Sequence, residues 1–197
     1  MFIELTDHLR CVASHEESFL VLIPDHMDGR RVLRGTLGCP VCQAEYRIEA
    51  GIVDMGGVPP APPDPGLHDS LDASALLAFL GLEGPGGYVA LVGDAARFAG
   101  AVAAALPGAH LVAVNPSEPQ QVSPHVSVVR ARRLPLKVRS LRGVVVGGPE
   151  AAEPSWQADA IRAVLPGLRA TGTGPVPVIE GFELLGAADG WWVGVRR

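Results

Sequence analysis

Gly87-Tyr88-Val89-Ala90-Leu91-Val92-Gly93-Asp94-Ala95-Ala96-Arg97-Phe98, followed by an alanine-rich run to Leu106, then Pro107-Gly108 and Leu111-Val112-Ala113-Val114, decides the fold. A five-residue apolar run bounded by glycines has the length and composition of a fully buried strand. Gly93-Asp94-Ala95 then turns the chain into a helix predicted from Arg97 to Leu106. Pro107-Gly108 ends that helix before a second apolar strand, Leu111 to Val114. Strand, helix and strand at this spacing make a βαβ unit, which implies parallel pairing with helices against the sheet.

The same alternation continues outward. Val126 to Val129 and Leu141 to Val146 are two more strands, and a helix is expected from Trp156 to Leu165, stopped by Pro166-Gly167. Gly181 to Arg196 is expected to form a hairpin turning at Asp189-Gly190, with one of Trp191 and Trp192 facing the core and the other facing outward. Upstream, Leu71 to Leu80 reads as a helix capped by Asp69 or Ser70. Between Asp54 and Asp69 five prolines fall among residues 59 to 65, a composition that favours extended chain and disfavours sheet. These observations divide the chain into residues 1–55, a linker at 56–69 and an α/β unit at 70–197.

The first part carries strand-like runs, Ser18 to Ile23, Val32 to Leu37 and Glu45 to Val53. They are too few for a self-sufficient core in about fifty residues, so a staple is expected. Cys39-Pro40-Val41-Cys42 supplies two thiolates from one turn. Cys11, the remaining cysteine, and His15 four residues later complete a tetrahedral Cys₃His set, with His8 or His26 as substitutes for His15. Thiolate-rich tetrahedral donors favour zinc.

Composition bounds the rest. The 197 residues are 48% hydrophobic and 19% charged, which gives a folded chain of one or two units. A net charge of −5 excludes a global cationic field for nucleic acid, so a basic site must be local. No apolar run is long enough to span a bilayer, and Met1 to Asp7 lacks the features of a secretory signal. A cytoplasmic location and no membrane partner are therefore expected. The local basic feature is Arg130, Arg132, Arg133, Lys137, Arg139 and Arg142, six cations in thirteen residues without an intervening acid. Such a stretch can hold an anionic partner such as RNA or an acidic protein surface. It has no interleaved aromatic platform for stacking bases.

Two resemblances follow from particular residues. Cys39-Pro-Val-Cys42, Tyr46, Ile48 and Gly51-Ile52-Val53 resemble the second half of the zinc-ribbon family that activates tRNA and protein methyltransferases. Here the first knuckle is Cys-x₃-His rather than Cys-x-x-Cys, and Val53 stands where the family has proline. From Leu71 onward the chain is similar to class I S-adenosylmethionine-dependent methyltransferases: Leu76 to Gly93 match the first helix, turn and strand, Arg133 to Leu136 match the segment after the third strand, and Val164 to Gly167 match the turn after the fifth helix. The resemblance implies a Rossmann-like α/β methyltransferase fold with a mainly parallel sheet, preceded by a small β-rich zinc ribbon.

It also names the positions that would meet the cofactor: Gly93, Asp94 and Asn115. The family's acid inside the first strand falls at Leu91, and its next loop glycines fall at Ala95 and Arg97. Its ribose acid falls at Asn115, its adenine acid at Arg130 and the acid opening the fourth strand at Arg142. Gly147-Gly148-Pro149-Glu150 replaces a catalytic tetrad. The expectation is a non-catalytic zinc-ribbon and methyltransferase-like protein that binds or scaffolds a protein partner. The alternatives are an active methyltransferase with its ribbon in cis, and an anion- or RNA-binding protein using Arg130 to Arg142.

Overall fold

The computed structural model describes residues 1–57, 72–120 and 122–197. Apart from Gly56 and Gly57, the linker expected at 56–69 lies outside them, as do the caps expected at Asp69 and Ser70. Among the described residues, eleven strands form one mixed sheet: β1 (Val21–Asp28), β2 (Arg31–Gly38), β3 (Glu45–Glu49), β4 (Ile52–Met55), β5 (Tyr88–Val92), β6 (His110–Val114), β7 (Val126–Ala131), β8 (Leu141–Val146), β9 (Val164–Thr173), β10 (Phe182–Ala188) and β11 (Trp191–Arg196). Their order across the sheet is β1-β2-β3-β4-β7-β6-β5-β8-β9-β11-β10. The helices are α1 (Ala73–Leu80), α2 (Ala99–Ala105), α3 (Pro149–Ala152) and α4 (Pro154–Ala163).

From β7 to β9 every pair is parallel. The order reverses at β5, which has β6 on one side and β8 on the other, the doubly wound arrangement of Rossmann-like folds. Period-two alternation within each strand sends side chains to opposite faces. Val92, Val114 and Val146 pack with Trp156, Ala160 and Ile161 of α4, whereas Leu91, Leu111 and Val145 pack with Leu76 and Val102 of α1 and α2. Both sheet faces are therefore covered here by helices.

Several expected boundaries shift for physical reasons. Glu45 to Val53 is not one strand, because Ala50 and Gly51 both take positive φ and reverse the chain between β3 and β4. The helix expected from Arg97 is a 3₁₀ turn over Gly93–Phe98 that passes into α2. The cap of α1 is Asp72, whose carboxylate accepts from the Ala75 N–H at 2.8 Å. Pro166-Gly167 does not stop a helix: α4 ends at Ala163 and β9 follows at once. Leu141 pairs with Val164 but Gly143 with Arg169, so residues 165–168 are extruded as a bulge holding Pro166 and Gly167. The hairpin is as expected: Asp189 and Gly190, both at positive φ, turn β10 into β11, with Trp192 buried and Trp191 half-buried.

The two ends of the sequence meet at a strand seam. β4 pairs in parallel with β7, Ile52 opposite Val128 and Met55 opposite Ala131. A second seam runs through residues 8–10: the Arg10 N–H donates to Pro135 O and the Lys137 N–H donates to His8 O, each at 2.9 Å. Leu37, Ile48 and Val53 thus share one core with Val129, Leu134 and Leu136.

Candidate metal centre and the closed crevice

The knuckle is made by backbone geometry. The Gln43 N–H donates to Cys39 O and the Cys39 N–H to Ala44 O, both at 2.9 Å, with Gln43 in the left-handed region at φ 59°. Cys11 arrives on the chain that bridges Arg10 to Phe19, its N–H held by Ser18 O. The His15 ring is set by Nδ1, 2.6 Å from Glu16 O, which leaves Nε2 facing Cys39. Orienting a ligand through its second nitrogen in this way also fixes the tautomer.

Cys11, His15, Cys39 and Cys42, the four residues expected from the sequence, come together with their ligand atoms within 4.8 Å of one another. Their spacings test the fit. A tetrahedral zinc with bonds of about 2.3 Å to sulfur and about 2.0 Å to nitrogen has S···S edges of about 3.8 Å and S···N edges of about 3.5 Å. Cys11 Sγ lies 3.7 Å from Cys42 Sγ, and Cys39 Sγ lies 3.5 Å from His15 Nε2. The donor set fits such an ion. His8 is not part of the cluster; its ring packs 4.1 Å from Tyr88.

The cysteines differ in their electrostatics. Burial works against a charged Cys39, but hydrogen bonds from the backbone of Cys42 and Val41 and from the Cys11 and Cys42 thiols outweigh it and bring its pKa down to about 6. Burial pushes Cys11 up, opposed by a hydrogen bond from Tyr46, whose OH lies 3.1 Å from Cys11 Sγ. Tyr46 contacts the cluster, and the sequence offered it only as part of a pattern. Its signal was a tyrosine four residues after Cys42.

The second candidate site is the crevice beyond the carboxyl ends of β5 and β8, where doubly wound folds bind ligands. Gly93, Asp94 and Asn115 converge there around Glu150. The Gly147 N–H donates to Val92 O at 3.0 Å as the last rung of the parallel β5–β8 ladder. A Cβ added to Gly93 would overlap the Gly147 carbonyl and lie 2.7 Å from Glu150 Oε2, so the space before Gly93 is already filled. Asp94 is 1% exposed.

Asn115 sits at the end of β6 with φ 49° and directs its amide inward. Its Nδ2 donates to Ala131 O at 2.8 Å and to Glu150 Oε1 at 3.0 Å, while its Oδ1 accepts from the Ala131 N–H at 2.8 Å. Both amide hydrogens are therefore committed within the chain. Burial, opposed by the Asn115 hydrogen bond and reinforced by the nearby Asp94, holds the Glu150 carboxyl above its usual range. Glu150 is the residue that sequence reasoning missed, since nothing in Gly147-Gly148-Pro149-Glu150 marks where its side chain goes.

Other aligned positions have ordinary surroundings. Leu91 is buried against the α1 and α2 layer. The Arg97 guanidinium stacks 4.6 Å from the Phe98 ring. Arg142 lies at the opposite end of the sheet from the crevice, donating to the carbonyls of Glu83, Gly84, Pro85 and Gly86, so its charge does not bear on a ligand near Gly93.

The six clustered cations are dispersed. Arg132 donates to Gly56 O, Arg133 pairs with Asp159, and Lys137 donates to Asp7 O. Arg130 lies opposite Asp54 across the β4–β7 seam, and Arg139 turns the chain at φ 54°. Asp159 is the centre of a buried network: Arg10 and Arg133 reach its Oδ2 at 3.0 and 2.9 Å, and Arg162 reaches its Oδ1 at 2.8 Å. Arg162 also pairs with Glu17, whose carboxylate accepts from the Val138 N–H.

No family model matches the chain, and no curated protein does. Among solved structures, the chain is similar to phosphoethanolamine N-methyltransferase 2 of Haemonchus contortus bound to S-adenosylhomocysteine, at 14% identity and a TM-score of 0.42, over 55% of this chain and 30% of that one. A complex between the Trm112 methyltransferase activator of Haloferax volcanii and a methyltransferase matches at 16% identity and a TM-score of 0.42, over 51% and 50%. The antibiotic-resistance methyltransferase Kmr matches at 16% identity and a TM-score of 0.44, over 66% and 96%. The match thus spans half or less of the Haemonchus and Haloferax chains. The Rossmann-like assignment rests on strand order and register. No helix among the described residues is long and apolar enough to cross a membrane.

Proposed function

We propose that the chain is a non-catalytic binding protein: a zinc-stapled ribbon joined through the sheet to a methyltransferase-like unit whose nucleoside crevice is plugged by Glu150. The observation that carries this reading is the Asn115–Glu150 contact together with the Ala131 clasp. A ribose site needs free acceptors for two hydroxyls, and here the Asn115 Oδ1 already accepts from the Ala131 N–H while its amide N–H groups hold Ala131 and Glu150 in place. The filled space in front of Gly93 supports the same conclusion for the methionine end of a cofactor.

In this reading Cys11, His15, Cys39 and Cys42 hold one zinc ion, which supplies folding energy and no chemistry because all four positions are taken by protein donors. Tyr46 supports the Cys11 thiolate and the Glu16 carbonyl orients His15. The ribbon fixes β4 as a lasting edge partner of β7, so the protein presents one rigid surface to a protein partner. Native mass spectrometry of the chain purified from its host tests the assignment. The expected species carries one zinc and no nucleoside, together with a stable companion chain. A retained S-adenosylmethionine or S-adenosylhomocysteine adduct would reject it.

A further inference from the structure

We propose that the cleft between the end of α1 and the β10–β11 hairpin binds a medium-chain aliphatic carboxylate. The cleft has a volume of about 510 Å³, within the range of small-molecule sites, and lies away from both the metal centre and the plugged crevice. Phe79 and Trp191 form one wall, their rings tilted at 46° with centroids 6.0 Å apart. Leu185, Ala187 and Val193 supply the remaining apolar surface.

Among the described residues, the only charged one lining the cleft is Arg169. Its NH1 donates to Phe79 O at 3.3 Å, and no acidic side chain pairs with it among the described residues. Carbonyls at a helix end carry only partial charge, so the guanidinium keeps most of its demand for an anion. Its planar fork matches a carboxylate. An apolar trough with one uncompensated arginine therefore selects an apolar chain with an anionic head, and disfavours a neutral or cationic one. The reading is independent of whether the crevice beside Gly93 binds a nucleoside.

Titration of the full-length, zinc-loaded protein with decanoate, below its aggregation concentration, tests this by calorimetry and tryptophan fluorescence. Trp156 and Trp192 are buried, so the fluorescence change reports chiefly on Trp191. The expected result is saturable one-to-one binding of decanoate, with decanol and decyltrimethylammonium at least about tenfold weaker. Arg169→Gln should weaken decanoate by a similar factor. Ala187→Leu, at an exposed hairpin position, should block the cleft while leaving the circular dichroism spectrum unchanged. Absence of saturable decanoate binding, equal binding of decanol, or an Ala187→Leu variant that binds like the parent would overturn the proposal. So would attachment to phosphatidylglycerol vesicles without uptake of free decanoate.

Discussion

Asp159 shows how much depends on single side chains. Three arginines converge on one carboxylate that is 3% exposed, and they come from the N-terminal segment, the loop after β7 and α4. Removing the acid leaves the buried Arg10 without its carboxylate, so Asp159→Asn should cost about 3–5 kcal/mol, measured by urea unfolding. A variant within about 1 kcal/mol of the parent would show that the network is solvated. Burial alone would raise the Asp159 carboxyl, but hydrogen bonds from Arg133 and Arg162 and the charge of Arg10 outweigh it and hold it below the usual range. A depressed carboxylate contributes stability that is complete above its unfolded value, about 3.9, and is lost as pH falls through the folded value. His8 and His110 are lowered by burial, so their contribution fades earlier, as pH falls below about 6.5. Asp159→Asn should therefore flatten the acid limb of stability against pH while leaving the decline that begins near about 6.5.

The metal centre yields a prediction on the same scale. Tyr46→Phe removes the hydroxyl beside Cys11 Sγ while keeping the ring, and should weaken zinc affinity about 10- to 100-fold in a chelator competition. Unchanged affinity would make Tyr46 a packing residue. The Cys11, His15, Cys39 and Cys42 cluster was legible in the sequence because cysteines are few and their spacing is local. Glu150 and Asp159 were not, because their partners lie 35 residues away for Asn115 and 149 for Arg10. The separate contacts of the basic stretch were hidden for the converse reason: strand alternation and turns send linear neighbours to different partners.

At the scale of elements, the apolar strands β5, β6 and β8 and the Asp189-Gly190 hairpin announced themselves, because burial on both faces and a turn needing two positive φ angles restrict residue choice. β9 did not. Its Pro166 and Gly167 look like a terminator, and they are accommodated only because β8 lets residues 165–168 bulge out. The β4–β7 seam was equally invisible, since each strand has an ordinary pattern and only the assembled sheet matches Ile52 with Val128. That seam predicts a shared fate for the two regions. Differential scanning calorimetry should give one unfolding transition, and zinc removal by a chelator should lower its midpoint as a whole. Two transitions, with only the first sensitive to chelation, would show that the ribbon and the α/β unit fold independently.

For the whole molecule, the doubly wound sheet supplies a crevice at the usual place, which we propose the chain itself fills. Glu150 lies beside Gly93, and Asn115 is clasped to Ala131. Replacing the plug should partly reverse this, so Glu150→Gly combined with Asn115→Asp is the variant in which nucleoside binding should emerge. The decisive measurement is isothermal titration calorimetry of the unaltered zinc-loaded protein with S-adenosylmethionine. A self-filled crevice predicts no heat of binding up to millimolar ligand. A saturable isotherm in the micromolar range would mean that Glu150 yields to the cofactor, and the chain would then have to be treated as a methyltransferase.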